Sequence, residues 1–238
     1  VARPGGAFAA QSRLYLQKQA AFSMLPKTDL ARPLLRAASF LCLGFSLVLA
    51  PLAYGADLPV NATEATSTVK TAVEGVLAAV RATPAAHDGD LEAISRQVEQ
   101  KFLPYTDFER TTRLAVGEAV WKAATPAQQQ ALFKEFQTLL VRTYATELTQ
   151  IAGNTVKFTY LPVLGSGASV IVPTRMNTNG DDNQIDYRIE KTDQGLRIYD
   201  INILGAWLVQ LYKGQFQSQL SKGGIDALIK SLAAHNGH

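Results

Sequence analysis

The chain has 238 residues, with 23 Lys or Arg against 20 Asp or Glu for a net charge of +3, and one cysteine. A single thiol excludes an internal disulfide framework, so the fold must be held together by its apolar core. The small basic excess excludes little until it is located along the chain.

Residues 1–23 show no clear period and precede Met24, the first methionine, so they are read as an over-extended start or an unstructured leader. Residues 24–56 have the pattern of a secretory signal peptide. Lys27, Arg32 and Arg36 form a positive segment, residues 37–50 an apolar one, and Ala53 and Gly55 supply small residues for cleavage after Gly55 or Ala56. A membrane anchor is the competing reading, but Pro51 interrupts the run and it falls short of the ~20 residues a span needs. Residues 1–56 together carry six basic groups (Arg3, Arg13, Lys18, Lys27, Arg32, Arg36) and one acid, Asp29. Their removal leaves 17 basic and 19 acidic side chains, a net of −2. The exported domain then has no electrostatic footprint for nucleic acid or for an anionic membrane surface. Cys42 lies in the apolar segment and leaves with it, and the bulky Leu41 before it argues against a lipoprotein acceptor. Residues 57–238 are expected to form a single domain in the periplasm, long enough to bury one core.

Within that domain, Val69, Val73, Val76, Leu77 and Val80 mark a helix ending before Pro84, and 84–89 reads as a loop. Asp90 can cap a second helix with Leu91, Ile94, Val98 and Phe102 on one face. A short helix follows over 108–116. Thr125-Pro126-Ala127-Gln128 is a capping box with Pro at the first helical position. The long helix it opens carries Leu132, Phe136, Leu140, Tyr144, Leu148 and Ile151, closed by Gly153. Four strands are predicted next, over 155–163, 168–176, 184–191 and 196–204, joined by turn-rich connections that favour an antiparallel, twisted meander. The last strand has apolar residues on both alternation sets, Leu196 and Ile198 and then Tyr199, Ile201 and Ile203, as if covered on both sides or lining a cavity. Gly205 breaks it. Two helices, 206–220 and 225–234, finish the chain around Gly223-Gly224. The class is α+β.

Motifs for chemistry are sparse. His87, His235 and His238 make no ligand pair at helical spacing, so no metal site is expected. Neither a Gly-x-Ser-x-Gly elbow nor a Gly-rich phosphate loop is present. Asp107 and Glu109 could serve a cup-shaped enzyme as acid and base, but a cap and a favourable charge at the start of the short helix explain them more simply. What remains is an excess of apolar residues between sheet and helices.

The run Lys101-Phe102-Leu103-Pro104-Tyr105-Thr106-Asp107-Phe108, then Arg113 to Gly117, Trp121, Thr125-Pro126 and Arg142-Thr143-Tyr144-Ala145, resembles the MlaC family. Tyr199-Asp200-Ile201, Gly205, Tyr212, Gln215-Phe216 and Gly223-Gly224-Ile225-Asp226 are similar to its C-terminal half, so the resemblance runs in order over 65–234. It implies a monomeric periplasmic phospholipid carrier, also known as a toluene-tolerance auxiliary component, with lipid as cargo and no cofactor. Its implied partners are an inner-membrane ABC lipid transporter complex and an outer-membrane lipoprotein–porin complex, which together maintain lipid asymmetry. Related hopanoid-associated lipid-binding proteins share the pattern. The resemblance does not assign individual contacts. Periodicity selects Phe136, Leu140, Tyr144, Val172, Tyr187, Ile201, Ile203, Leu208, Leu211, Tyr212 and Phe216 as the expected lining of an apolar lipid cavity between sheet and helices.

Overall fold

The side chain of Asn61 accepts from the amides of Thr63 and Glu64, at 2.9 and 3.1 Å, and so starts helix α1 (Ala62–Ala82). The structure, a computed structural model, describes residues 59–237. The leader over 1–23 and the signal peptide over 24–56 lie outside the described residues.

Val69, Val73, Val76, Leu77 and Val80 all fall on the buried side of α1, as their spacing requires. The expected loop after it contains a one-turn helix, α2 (Pro84–His87), because Pro84 at its first position lacks only an N–H that would be unpaired anyway. Asp90 caps α3 (Leu91–Lys101) through the Ala93 amide at 2.7 Å, whereas Leu91 itself is exposed. A 3₁₀ turn (Leu103–Tyr105), α4 (Phe108–Val116) and α5 (Glu118–Ala123) lead to the long helix α6 (Pro126–Gly153). Its capping box is reciprocal: Gln128 Oε1 accepts the Thr125 amide at 3.0 Å and Thr125 Oγ1 accepts the Gln128 amide at 3.3 Å.

The sheet has five strands, not four. β1 (Val156–Tyr160), β2 (Ser169–Thr178), β3 (Asp181–Thr192), β4 (Gly195–Ile203) and β5 (Ala206–Trp207) lie in sequence order, all neighbours antiparallel. The extra strand comes from the turn at Leu204-Gly205, whose φ values of 52° and 94° reverse the chain in the manner of a tight hairpin. Ala206 and Trp207 therefore pair back on Ile203 and Asn202 instead of opening the helix, which begins at Leu208. That helix, α7 (Leu208–Asn236), is interrupted at Gly223-Gly224, which divides the C-terminal segment in two as predicted.

The mixed pattern of β4 has a specific cause. Asp200 pairs with Arg188, yet Ile198 pairs with Ile189, so Tyr199 is an extra residue facing no partner of its own: a β-bulge. One inserted residue reverses the alternation. Ile198 before the bulge and Ile201 and Ile203 after it thereby reach the same face, while Asp200 and Asn202 turn to the other. The strand is not apolar on both sides; its register shifts midway.

Two apolar clusters result. One joins α1 to the sheet, through Val69, Val76, Val172, Met176, Tyr187 and Ile189 among others. The second joins α4 to α7 around Leu132, Phe136, Tyr212, Phe216 and Leu228.

Candidate functional site

Between these clusters lies a cavity of ≈ 230 Å³. Its buried floor is formed by Val76 and Leu77 of α1, Met176 of β2, Tyr187 of β3 and Ile198 of β4. One wall is α6, where Gln137, Leu140, Val141, Tyr144, Glu147, Leu148 and Ile151 recur at spacings of three and four. Gln137, Leu140, Tyr144, Glu147 and Leu148 are only half-buried, so the hollow reaches solvent along this helix. Val98 of α3, Phe102 and Leu103 just after it, Phe108 of α4 and Ile185, Ile201 and Ile203 of the sheet close the remainder.

Six of the eleven residues chosen from periodicity border this cavity: Leu140, Tyr144, Tyr187, Ile201, Ile203 and Leu208. The other five do not, and packing explains each. Val172 is fully buried in the cluster between α1 and the sheet. Phe136 stacks edge-on to Tyr212 and Phe216, with ring centroids 4.9 and 5.1 Å away, in the interface of α6 and α7. Leu211 packs at the margin of that same cluster. The correction follows from helix geometry: a row of residues four apart drifts about 40° per step, so Leu132 and Phe136 leave the face that Leu140, Tyr144 and Leu148 occupy.

Sequence reasoning missed the contributions of α1 and α3, and of Phe108, Phe158, Met176 and Ile185. The valines of α1 mark a helix in the sequence, but periodicity cannot distinguish a side chain that meets another from one that borders a hollow. Met176 and Ile185 were legible only through the strand register.

The polar groups at the wall are mostly engaged by the protein. Thr106 Oγ1 donates to the Leu103 carbonyl at 2.9 Å, Thr111 Oγ1 to the Tyr199 carbonyl at 2.7 Å, and Gln137 Nε2 to Glu99 at 3.0 Å. Asp200 takes Arg188 on Oδ2 at 2.8 Å and the amides of Ile201 and Val209 on Oδ1 at 2.9 and 3.0 Å. Trp207 gives α7 no side-chain cap, so Asp200 caps that helix from the neighbouring strand. Burial raises the Asp200 carboxyl above its ordinary range, opposed by those amides and by Arg188. Burial also pushes the Tyr187 phenol up, well beyond physiological pH, so it stays neutral on the cavity floor.

Asp107 Oδ1 accepts the Arg110 amide at 2.8 Å as the cap of α4, and Glu109 is exposed on its first turn. Neither borders the cavity. Among the described residues there is no group of three or more His, Cys, Asp or Glu placed to hold a metal. No helix among them is long and apolar enough to cross a membrane.

The arrangement is a hollow that can hold hydrocarbon. One solved structure similar to this chain is a phospholipid-binding protein from Ralstonia solanacearum in complex with a phospholipid. It is 40% identical, with a TM-score of 0.69, over 73% of this chain and 97% of that one. Residues 70–234 match the family described as MlaC protein, and with that match spanning most of the described fold this chain belongs to the MlaC family.

Proposed function

We propose that this chain is a periplasmic phospholipid carrier, acting as a monomer, that holds acyl tails in the cavity between α6 and the sheet. In this reading it exchanges lipid with an inner-membrane ABC transporter complex and an outer-membrane lipoprotein–porin complex, and so serves outer-membrane lipid asymmetry. The observation that carries the reading is the cavity itself, open along α6 and lined almost wholly by aliphatic and aromatic side chains.

Physical chemistry supplies the need. Each acyl CH₂ gains about 0.8 kcal/mol on leaving water, so two tails of roughly 30 CH₂ in all cost on the order of 20 kcal/mol to expose. A lipid therefore crosses an aqueous gap only inside an apolar container. The container needs no catalytic groups and no tight grip, because exchange compares its interior with a bilayer and not with water. For scale, an engineered cavity of about 150 Å³ already binds benzene. The 40% identity to a protein whose structure contains a phospholipid supports the choice of cargo.

Native mass spectrometry of the chain purified from a Gram-negative periplasm tests this. Bound phospholipid at near one per protein is the expected result. A spectrum of lipid-free protein would end the proposal, and a hopanoid in place of phospholipid would redirect it to the hopanoid-associated relatives.

A further inference from the structure

Glu147 departs from its surroundings. It lies on the cavity stripe of α6, between Tyr144 and Leu148 and one turn before Ile151, at a position where the spacing calls for an apolar side chain. It sits on the half-buried rim where the hollow meets solvent. Its Oε2 is buried and finds no hydrogen-bond partner among the described residues. Thr106, Thr111 and Gln137 at the same wall all have partners, whereas this one carboxylate oxygen of Glu147 has none.

A carboxylate held in this way is unfavourable in the protein alone. Removing a charged group from water without supplying a partner costs more than burying an alkyl chain of the same size. Leucine or methionine would complete the stripe without that penalty. The chemistry that would offset it is a cation carrying N–H donors, arriving at the rim when the cavity is filled. A lipid with its tails among Val76, Leu77 and Met176 brings its head group to the rim along α6. A primary ammonium there supplies both the opposite charge and the donors for a charge-assisted bond.

We infer that Glu147 is a head-group subsite, selecting lipids with a primary-ammonium head group, such as phosphatidylethanolamine, over anionic ones. This rests on the carrier reading and narrows it. Anionic head groups such as phosphatidylglycerol meet like charge at this position, and quaternary ammonium offers charge without a donor. Burial is the main cause that raises the carboxyl of Glu147 above its ordinary range, opposed by a hydrogen bond from its own backbone.

The test uses vesicles of equimolar phosphatidylethanolamine and phosphatidylglycerol with identical acyl chains, incubated with the protein, which is then re-isolated and its lipid identified by native mass spectrometry. Wild type is expected to carry the ethanolamine lipid in about five- to tenfold excess, the range of one exposed charge-assisted contact. Glu147→Gln keeps the size and removes the charge, and is expected to bring the ratio close to one. Glu147→Leu should do the same, with a raised thermal midpoint as proof of folding. Equal ratios in wild type and both variants, or a wild-type preference for phosphatidylglycerol, would overturn the subsite while leaving the carrier intact. Absence of lipid from all three proteins would instead overturn the carrier reading, and the subsite with it.

Discussion

Thr111 Oγ1 lies 2.7 Å from the Tyr199 carbonyl and donates to it, joining α4 to the one residue of β4 that has no partner across the sheet. A bulge leaves backbone groups outside the ladder, and a buried carbonyl without a donor is costly. The Asp107 amide does the same for the Ile198 carbonyl at 2.8 Å. These two bonds hold the register shift that turns Ile201 and Ile203 to the cavity. Thr111→Val keeps the shape and removes the donor, and is expected to lower stability by about 1–3 kcal/mol in urea unfolding. Thr111→Ser should recover most of it. A valine variant as stable as wild type would show that the bulge is fixed by something else.

Ile203 and Phe136 provide a matched pair. Ile203 is half-buried at the cavity wall, whereas Phe136 is fully buried against Phe108, Tyr212 and Phe216. Ile203→Asp is expected to leave the protein folded by circular dichroism and to abolish lipid co-purification. Phe136→Ala is expected to cost about 3–5 kcal/mol of stability, yet retain lipid in whatever fraction folds. The reverse pattern would place the tails in the α6–α7 interface.

Three glycines of α7 should respond differently to alanine. Gly224 has φ 68° and ψ −159°, a conformation open to glycine and strained for any residue with a Cβ. Gly224→Ala is expected to destabilise by about 1–3 kcal/mol. At Gly223 a Cβ would stand 2.8 Å from the Ala227 Cβ, so that substitution also forces a shift. Gly214 is helical with open space at its Cβ position, and Gly214→Ala is expected to stabilise by about 0.5–1 kcal/mol. Denaturant midpoints of the three variants check the ordering.

Glu147, Glu190 and Asp200 all have carboxyls raised by burial, although Glu190 pairs with Arg110 and Asp200 with Arg188. An acid raised in the folded state binds more protons there than when unfolded, so stability declines as pH rises. This contribution is complete below the ordinary values of 3.8 for Asp and 4.5 for Glu, and is lost as pH climbs through the raised folded values. Lipid-free protein should therefore melt at a higher temperature near the ordinary carboxylate range than at neutral pH. Glu147→Gln should flatten that slope by removing one of the three groups. A thermal midpoint that rises towards neutrality in lipid-free protein would contradict the assignment.

Much of the local structure was legible before any coordinates. Asp- and Thr-headed helix starts, the Thr125–Gln128 box, the Gly223-Gly224 break and four of the five strands follow from capping chemistry, periodicity and turn residues, all of which act over a few neighbours. The loop assigned to 84–89 and the helix start assigned to Ala206 did not hold. At Pro84 a single turn suffices, and at Leu204-Gly205 an unusual positive φ on a leucine reverses the chain.

The sequence by itself determined that this chain builds an α+β domain with more apolar surface between sheet and helices than a short core requires. Only the tertiary structure decided which of those apolar residues touch one another and which face a hollow. Phe136 and Leu140 are one helical step apart in the same row, yet one fills the α6–α7 interface and the other borders the cavity. Burial is a property of a side chain and its spacing, and so can be read from one dimension. A cavity is a failure of distant surfaces to meet, set here by a one-residue bulge in β4 and by the slow drift of the apolar row around α6.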